Sequence, residues 1–376
     1  MREYLLVLLV AAAATYLLAT LTRELALRLG AVAHVRDRDV HAVPIPYFGG
    51  VAMLGGLVVA FLVALNLPFL SRGSEVLFHD AGFVLLGGAL ICLVGVVDDL
   101  LELDAITKFA GQLLAAGVVV LGGVQFLWLP GAEQTVSLDA SQAALLTVFM
   151  IVATSNAVNF IDGLDGLAAG VVAIGAAAFF VFAYVISVLN NLERGTPAAF
   201  LTMALVGVCL GILPHNFFPA QMFIGDAGAM LIGFVLACSA ITLTGQYPSV
   251  SIDSGFGGAS ASVLPALLPL VLPFAVLVVP FVDLVLAVVR RTRAGRSPFA
   301  PDKQHLHHRL LEIGHSHRRA VLLMYLWTAL LAGGTVVVSL FTGWQSVLGV
   351  AVMVVLAIVL TFGLTWWRRD RPQIGL

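Results

Sequence analysis

Residues Asn156 to Ala168 read NAVNFIDGLDGLA, a stretch that gathers two asparagines, two aspartates and two glycines between long apolar runs. Asp162 and Asp165 stand three residues apart and face the same way if the turn is helical. Gly163 and Gly166 let a backbone or a phosphate come close. Polar groups of this kind are costly inside a bilayer, so their presence asks for a chemical reason. A polar turn joining two helices would use the same residue types. Taken alone, the stretch supports either reading about equally.

Further segments share this character. VGVVDDLLELDAITK (Val94 to Lys108) places Asp98 and Asp99 at the C-terminal end of an apolar run. The helix dipole disfavours negative charge there, so capping the preceding helix does not explain them, though capping the next one could. Adjacent carboxylates repel unless a cation lies near, which points to a divalent metal or to handling the proton of a phosphate. LPHNFFPAQMFIGDAGAM (Leu213 to Met230) ends in GDAG, where Asp226 would serve equally well as a plain helix N-cap. Phe218 and Phe223 in the same stretch read as core aromatics or as a stacking surface for a base. In RRTRAGRSPFAPDKQHLHHRLLEIGHSHRR, Leu306, Leu310 and Ile313 form the apolar stripe of a short surface helix, with His305 and His308 on its polar face and His307 turned elsewhere. No HExxH spacing or neighbouring cysteine supports zinc there, and donors to phosphate oxygens fit better. His41, in the turn-forming HAVPIPYFGG, reads as structural. Asp283 lies inside an apolar run two turns before Arg290 and reads as a packing carboxylate or as part of an ion path. Cys92, Cys209 and Cys238 sit unpaired in apolar runs, as small core residues do.

Composition sets the stage for these groups. The 376 residues are 60% hydrophobic and 11% charged, with a mean hydropathy of +1.04. Soluble domains carry about 25% charged residues, so this is an integral membrane protein. A net charge of −2 gives no signal of nucleic acid or any other strongly charged partner. Eleven apolar segments of roughly 17–25 residues are long enough to span. They lie near 4–22, 47–68, 80–98, 107–127, 141–159, 166–189, 197–215, 224–244, 264–289, 320–341 and 345–366. The first is followed by Arg23, Arg28, Arg36 and Arg38, which suits a retained span rather than a cleaved signal. With the N-terminus outside, sixteen of the nineteen basic residues fall on the inner side and three (Arg2, Arg72, Arg194) on the outer. The positive-inside rule selects that orientation and places every polar segment named above on the cytoplasmic face. The expected fold is all-α and polytopic, with about 11 transmembrane helices, the C-terminus cytoplasmic, and a single transmembrane domain over residues 1–376. A long cytoplasmic loop is expected at about 290–319.

Jointly, DD, NxxNxxDGxDGLA, NxxPAxxFxGDxG and HxHH occur in this order on alternating loops facing one compartment. The set resembles the polyprenyl-phosphate N-acetylhexosamine-1-phosphate transferase superfamily over roughly residues 30–320, with the termini supplying spans only. The HLHHRLLEIG segment is more similar to the GlcNAc-1-phosphate branch than to the phospho-MurNAc-pentapeptide translocases, which usually carry three consecutive histidines there. The resemblance implies a bacterial inner-membrane enzyme with a cytoplasmic site. It would move N-acetylhexosamine-1-phosphate from a UDP-sugar to an undecaprenyl- or decaprenyl-type phosphate, with Mg²⁺ or Mn²⁺ as cofactor. It also implies roles: Asp226 as a metal ligand, and Asp98 and Asp99 as the pair that orients and deprotonates the lipid phosphate and helps hold the metal. Asn156, Asn159, Asp162 and Asp165 would lie on the nucleotide side. Phe223 would pack on uracil and Asn216 would make a polar contact near the metal. Lys108 would meet the lipid phosphate, while His305, His307, His308 and Arg309 would lie near the pyrophosphate. Relatives of this kind often form homodimers.

Two other classes are compatible with a polytopic chain. A secondary transporter would place its polar groups near the midplane and show repeated halves. Here those groups gather towards loops and no internal repeat is visible. A non-catalytic scaffold would not need the carboxylate set.

Overall fold

The computed structural model describes residues 1–33, 44–71, 74–130, 135–185, 196–245, 292–293, 295, 316–341, 343–359 and 361. Ten helices are seen among them: α1 (Arg2–Leu29), α2 (Gly49–Ala64), α3 (Ser74–Leu101), α4 (Ala105–Leu121), α5 (Ala140–Ile161), α6 (Leu167–Tyr184), α7 (Thr196–Asn216), α8 (Gly225–Gly245), α9 (His317–Leu340) and α10 (Trp344–Ile358). Seven are long and apolar enough to cross a membrane; α2, α4 and α10 are shorter apolar helices. Each coincides with an expected span. The ninth expected span (264–289), Asp283 and His41 lie outside the described residues, so the expected count of eleven goes beyond them.

The helices begin and end where local chemistry dictates. Asp104 caps α4 by accepting from the amides of Ile106 (3.0 Å) and Thr107 (3.1 Å). Those bonds to the ionised form hold its carboxyl below the usual range, the hydroxyl of Thr107 contributing most. Asp139 caps α5 in a reciprocal box with Gln142. Gly166, at φ +77°, starts α6 from a left-handed conformation that a side chain would disfavour.

One departure from the all-α expectation follows α4. That span was expected to run to residue 127, yet the helix stops at Leu121. Gly122 and Gly123 turn the chain, and Gly123 takes φ +77°. A two-stranded antiparallel hairpin follows, β1 (Trp128–Pro130) with β2 (Thr135–Ser137), Trp128 lying opposite Ser137. The glycine pair breaks the helix before its hydrophobic run ends.

The bundle is arranged around α8. That helix is buried along its length and packs against α2, α3, α5, α6 and α7. Glycines allow this closeness. A Cβ on Gly50 of α2 would lie 2.3 Å from the Gly228 amide nitrogen, and one on Gly95 of α3 would lie 2.3 Å from the Ala227 Cα. The N-terminal turn of α8, which carries the GDAG sequence, is thus gripped by backbone on two sides.

Candidate active site

From α1 to α8 consecutive helices run antiparallel, so the C-terminal ends of α1, α3, α5 and α7 meet the N-terminal ends of α2, α4, α6 and α8 at one end of the bundle. The polar segments singled out in the sequence that fall among the described residues sit at these ends. Asp98 and Asp99 close α3, Lys108 lies in the first turns of α4, Asn156 and Asn159 close α5, Asp162 and Asp165 lead into α6, Asn216 ends α7, and Asp226 opens α8.

Lys108 is the hub. Its ammonium donates to Asp98 Oδ2 at 2.7 Å and to Asp226 Oδ2. With the Asn159 amide oriented to satisfy its neighbours, that side chain accepts from Lys108 Nζ at 3.1 Å and donates to Asp226 Oδ1 at 2.9 Å. An ammonium has three protons, and here all three are used. Asp98 receives a second donor, the Leu103 amide at 2.8 Å. One lysine therefore binds α3, α4, α5 and α8 together across sequence separations of up to 118 residues.

Asp99, the neighbour of Asp98, faces a different way. Its Oδ1 accepts the Asp226 amide at 2.8 Å and its Oδ2 accepts the Ala227 amide at 3.3 Å. Asp162 is half-buried where α5 gives way to α6. Burial pushes its carboxyl well above the usual carboxylate range, and the charges of Asp226, Asp99 and Asp165 push the same way. Asp165 is buried and accepts the Ala220 amide at 3.0 Å, which ties the start of α6 to the loop before α8. Asn216 makes a parallel tie, accepting from Gly166 N at 3.0 Å and donating to Met222 O at 3.0 Å.

The remaining expected residues fall into two groups. Asn156 lies one turn deeper than Asn159 and pairs its amide with that of the buried Gln112, donating to Gln112 Oε1 at 2.7 Å. The pair forms a floor beneath Lys108. Phe223 is half-buried with its ring centroid 6.2 Å from that of Tyr47, and its backbone bonds to Pro46 O and to the Gly49 amide. His305, His307, His308 and Arg309 lie outside the described residues.

Some groups at this end escaped the sequence reading. Arg23 Nε donates to Gln221 O at 3.1 Å and Arg318 Nε to Phe218 O at 3.2 Å, so two exposed arginines, one from α1 and one from α9, brace the loop before α8. In the sequence both arginines count only towards the orientation of the chain. Tyr325 of α9 donates its hydroxyl to Gly166 O, and a Cβ on Gly170 would lie 2.0 Å from its ring. The matching glycine and tyrosine lie 155 residues apart, and only the folded chain shows the pair.

The donor set can be tested against a divalent cation. Among the described residues, no three carboxylate, imidazole or thiolate groups gather closely enough to close a metal site by themselves. Asp98 and Asp226 nonetheless converge on a shared positive charge, now that of Lys108. Magnesium commonly takes one or two carboxylates and completes its shell with water and substrate phosphates. The pair fits that mode and does not fit an all-protein cage.

Comparison with known proteins adds a separate finding. The family described as glycosyl transferase family 4 matches residues 81–244, a stretch that contains Asp98, Lys108, Asp162, Asp165 and Asp226. The chain is similar to the decaprenyl-phosphate N-acetylglucosaminephosphotransferase of Mycolicibacterium smegmatis, 46% identical over 369 residues, covering 96% of this chain and 88% of the relative. It is also similar to the protein of the same name from Mycobacterium tuberculosis, 47% identical over 342 residues, covering 89% of this chain and 82% of the relative. Similarity extends to the undecaprenyl-phosphate alpha-N-acetylglucosaminyl 1-phosphate transferase of Salmonella typhi, 27% identical over 327 residues, covering 83% of this chain and 78% of that protein.

Proposed function

The chain belongs to glycosyl transferase family 4, and from that premise we propose that it transfers N-acetylglucosamine-1-phosphate from UDP-N-acetylglucosamine to a polyprenyl phosphate at the cytoplasmic face of a bacterial membrane. An oxygen of the lipid phosphate attacks the phosphorus that bears the sugar. The bond from that phosphorus to the bridging oxygen breaks, UMP leaves with the bridging oxygen, and a polyprenyl-diphospho-N-acetylglucosamine remains. The observation that carries this reading is the Lys108 ammonium held between Asp98 and Asp226 at the bundle end where the described motifs meet. Cytoplasmic placement is supported by the sixteen basic residues assigned to that side against three on the other.

The chemistry asks more for positioning than for a strong base. A phosphate monoester has a second pKa near ~6 and is largely dianionic at neutral pH, so little is gained by deprotonating it further. The harder task is to bring a lipid phosphate and a pyrophosphate together in an acidic site. Lys108 meets the incoming phosphate with positive charge, and Asn159 fixes both Lys108 and Asp226 in place. Asp226 and Asp98 would hold the divalent cation, which supplies charge neutralisation between carboxylates and pyrophosphate. Burial and the charges of Asp226, Asp99 and Asp165 all favour the neutral form of Asp162.

The test uses purified full-length protein, a panel of UDP-amino sugars, one polyprenyl phosphate and Mg²⁺. UMP release that requires lipid phosphate, cation and UDP-N-acetylglucosamine together is the expected result. Release without lipid phosphate, sugar flux without UMP, or preference for the UDP-muramoyl pentapeptide would each reject it.

A further inference from the structure

Asp98 and Asp99 are adjacent in sequence, yet about 100° of helix rotation aims them at different partners. Asp98 meets the Lys108 ammonium, whereas both oxygens of Asp99 are engaged by the first amides of α8. A helix begins with orphan amides that a side-chain acceptor normally satisfies from the preceding residue. In α8 that residue is Ile224, whose side chain carries no acceptor, and Gly225, the first residue of the helix, takes a left-handed conformation, φ +67°. A Cβ there would lie 2.4 Å from Asp99 Oδ2, so the glycine also makes room for the carboxylate arriving from α3. Gly95, one turn earlier on α3, removes the other obstacle by letting the α3 backbone lie against Ala227. Three observations on two helices thus converge on one contact. Its consequence falls on Asp226. Because the cap comes from elsewhere, the Asp226 side chain is free of capping duty and turns to Lys108 and Asn159.

We propose that Asp99 is a positioning residue, a cap supplied in trans by α3 that fixes the first turn of α8 and so aims Asp226, while taking no part in cation binding or proton transfer. The proposal rests on the phosphoglycosyl transfer reading above for its kinetic consequence, though not for its structural one. It replaces the role expected for Asp99 as half of a metal-binding, proton-abstracting pair.

Asn and Asp are nearly equivalent caps, whereas Ala is not. Full-length protein in detergent is therefore compared as wild type, Asp99→Asn and Asp99→Ala, with three readouts. These are UMP release against Mg²⁺ concentration, the melting midpoint in EDTA, and amide hydrogen exchange over residues 225–228. Asp99→Asn should lose less than about tenfold in turnover, well short of the roughly 10²–10⁴-fold expected when a general base is removed. Its melting and exchange should stay near wild type. Asp99→Ala should melt lower, exchange the α8 amides faster by a factor of roughly 5–30, the equivalent of a lost cap, and need more Mg²⁺ for half-maximal rate. An Asp99→Asn protein more than tenfold impaired, or an Asp99→Ala protein with wild-type exchange at residues 225–228, would overturn the assignment. If Asp99→Ala fails to fold, Asp99→Asn still decides the matter. Should wild type release no UMP, the reaction is rejected, and exchange and melting still decide the cap.

Discussion

The two ends of the helix bundle solve the same problem differently. At the end away from the motifs, Glu3 accepts the Phe69 amide at 2.8 Å and the Leu70 amide at 3.0 Å, a local clasp between α1 and the turn after α2. Beside it Tyr4 packs edge-on against Phe69, Phe180 and Tyr184, with centroids 5.5–6.2 Å apart. Charge there is met by backbone amides, and the space is filled by rings. At the motif end Asp98, Asp99, Asp162, Asp165 and Asp226 crowd into one region, and among the described residues the acidic cluster has one lysine at its heart. A fold built for stability alone would not assemble such an imbalance, because uncompensated buried charge is costly. On the proposed reading, the surplus of negative charge is where a cation and a phosphate-bearing substrate would enter.

If that imbalance is the working part, the largest effects come from changing it. Asp226→Asn should lower lipid-dependent UMP release by roughly 10²–10³-fold or more, as removing a preorganised electrostatic contact does, while its melting midpoint stays near wild type. Wild-type turnover in that variant would end the metal role given to Asp226. Lys108→Met should come next. It leaves Asp98 and Asp226 facing each other without their shared ammonium and should cost about 3 kcal/mol in stability, the low end for breaking a buried pair. Added Mg²⁺ should raise the melting midpoint of Lys108→Met more than that of wild type, since a cation can then fill the vacated place. Equal shifts in the two proteins would argue against a shared position.

Gly95→Ala tests the same end through packing. The added Cβ would meet Ala227 Cα at 2.3 Å and Ala227 N at 2.4 Å, backbone atoms that cannot swing aside. Separating α3 from α8 should cost about 1–3 kcal/mol by overpacking. Turnover should fall as well, because Asp98 and Asp99 ride on α3 and Asp226 on α8. Retained turnover at a lowered melting midpoint would show that the site tolerates a shift between the two helices.

What the sequence disclosed about this arrangement depended on the range of the signal. Long apolar runs are dictated by bilayer thickness, so each described helix falls on an expected span. Antiparallel alternation then brings Asp98, Asp162, Asp165 and Asp226 to one end without any knowledge of packing. The partners within that end were not readable, because they join distant residues: Asp99 and Asp226 are separated by 127 positions, and Asp165 and Ala220 by 55. From sequence both carboxylates read as chemical groups, and in the fold both hold backbone amides. The early stop of α4 did leave a trace in Gly122–Gly123, which the continuing hydrophobicity outweighed in the span assignment. Tyr325 left none, since a tyrosine within an apolar run looks the same whether or not its hydroxyl reaches Gly166.

The far end supplies the smallest effects and the control. Glu3→Gln keeps the acceptor geometry on one oxygen but removes the charge, and should cost about 1 kcal/mol, as a lost helix-type cap does, with turnover unchanged. Gly82→Ala is the counterpart of Gly95→Ala on the same helix. A Cβ at Gly82 meets nothing within 4 Å, so the substitution brings only the helix propensity of alanine, worth up to about 1 kcal/mol. Melting should therefore move in opposite directions for two identical substitutions on α3, down at residue 95 and up at residue 82. Since both replace hydrogen by methyl in one helix, the difference in sign isolates what surrounds each glycine from what the residue type contributes. A turnover change in Gly82→Ala or Glu3→Gln comparable to that in Gly95→Ala would mean that the two ends are coupled, and that the negative cluster does not act as a separate working part.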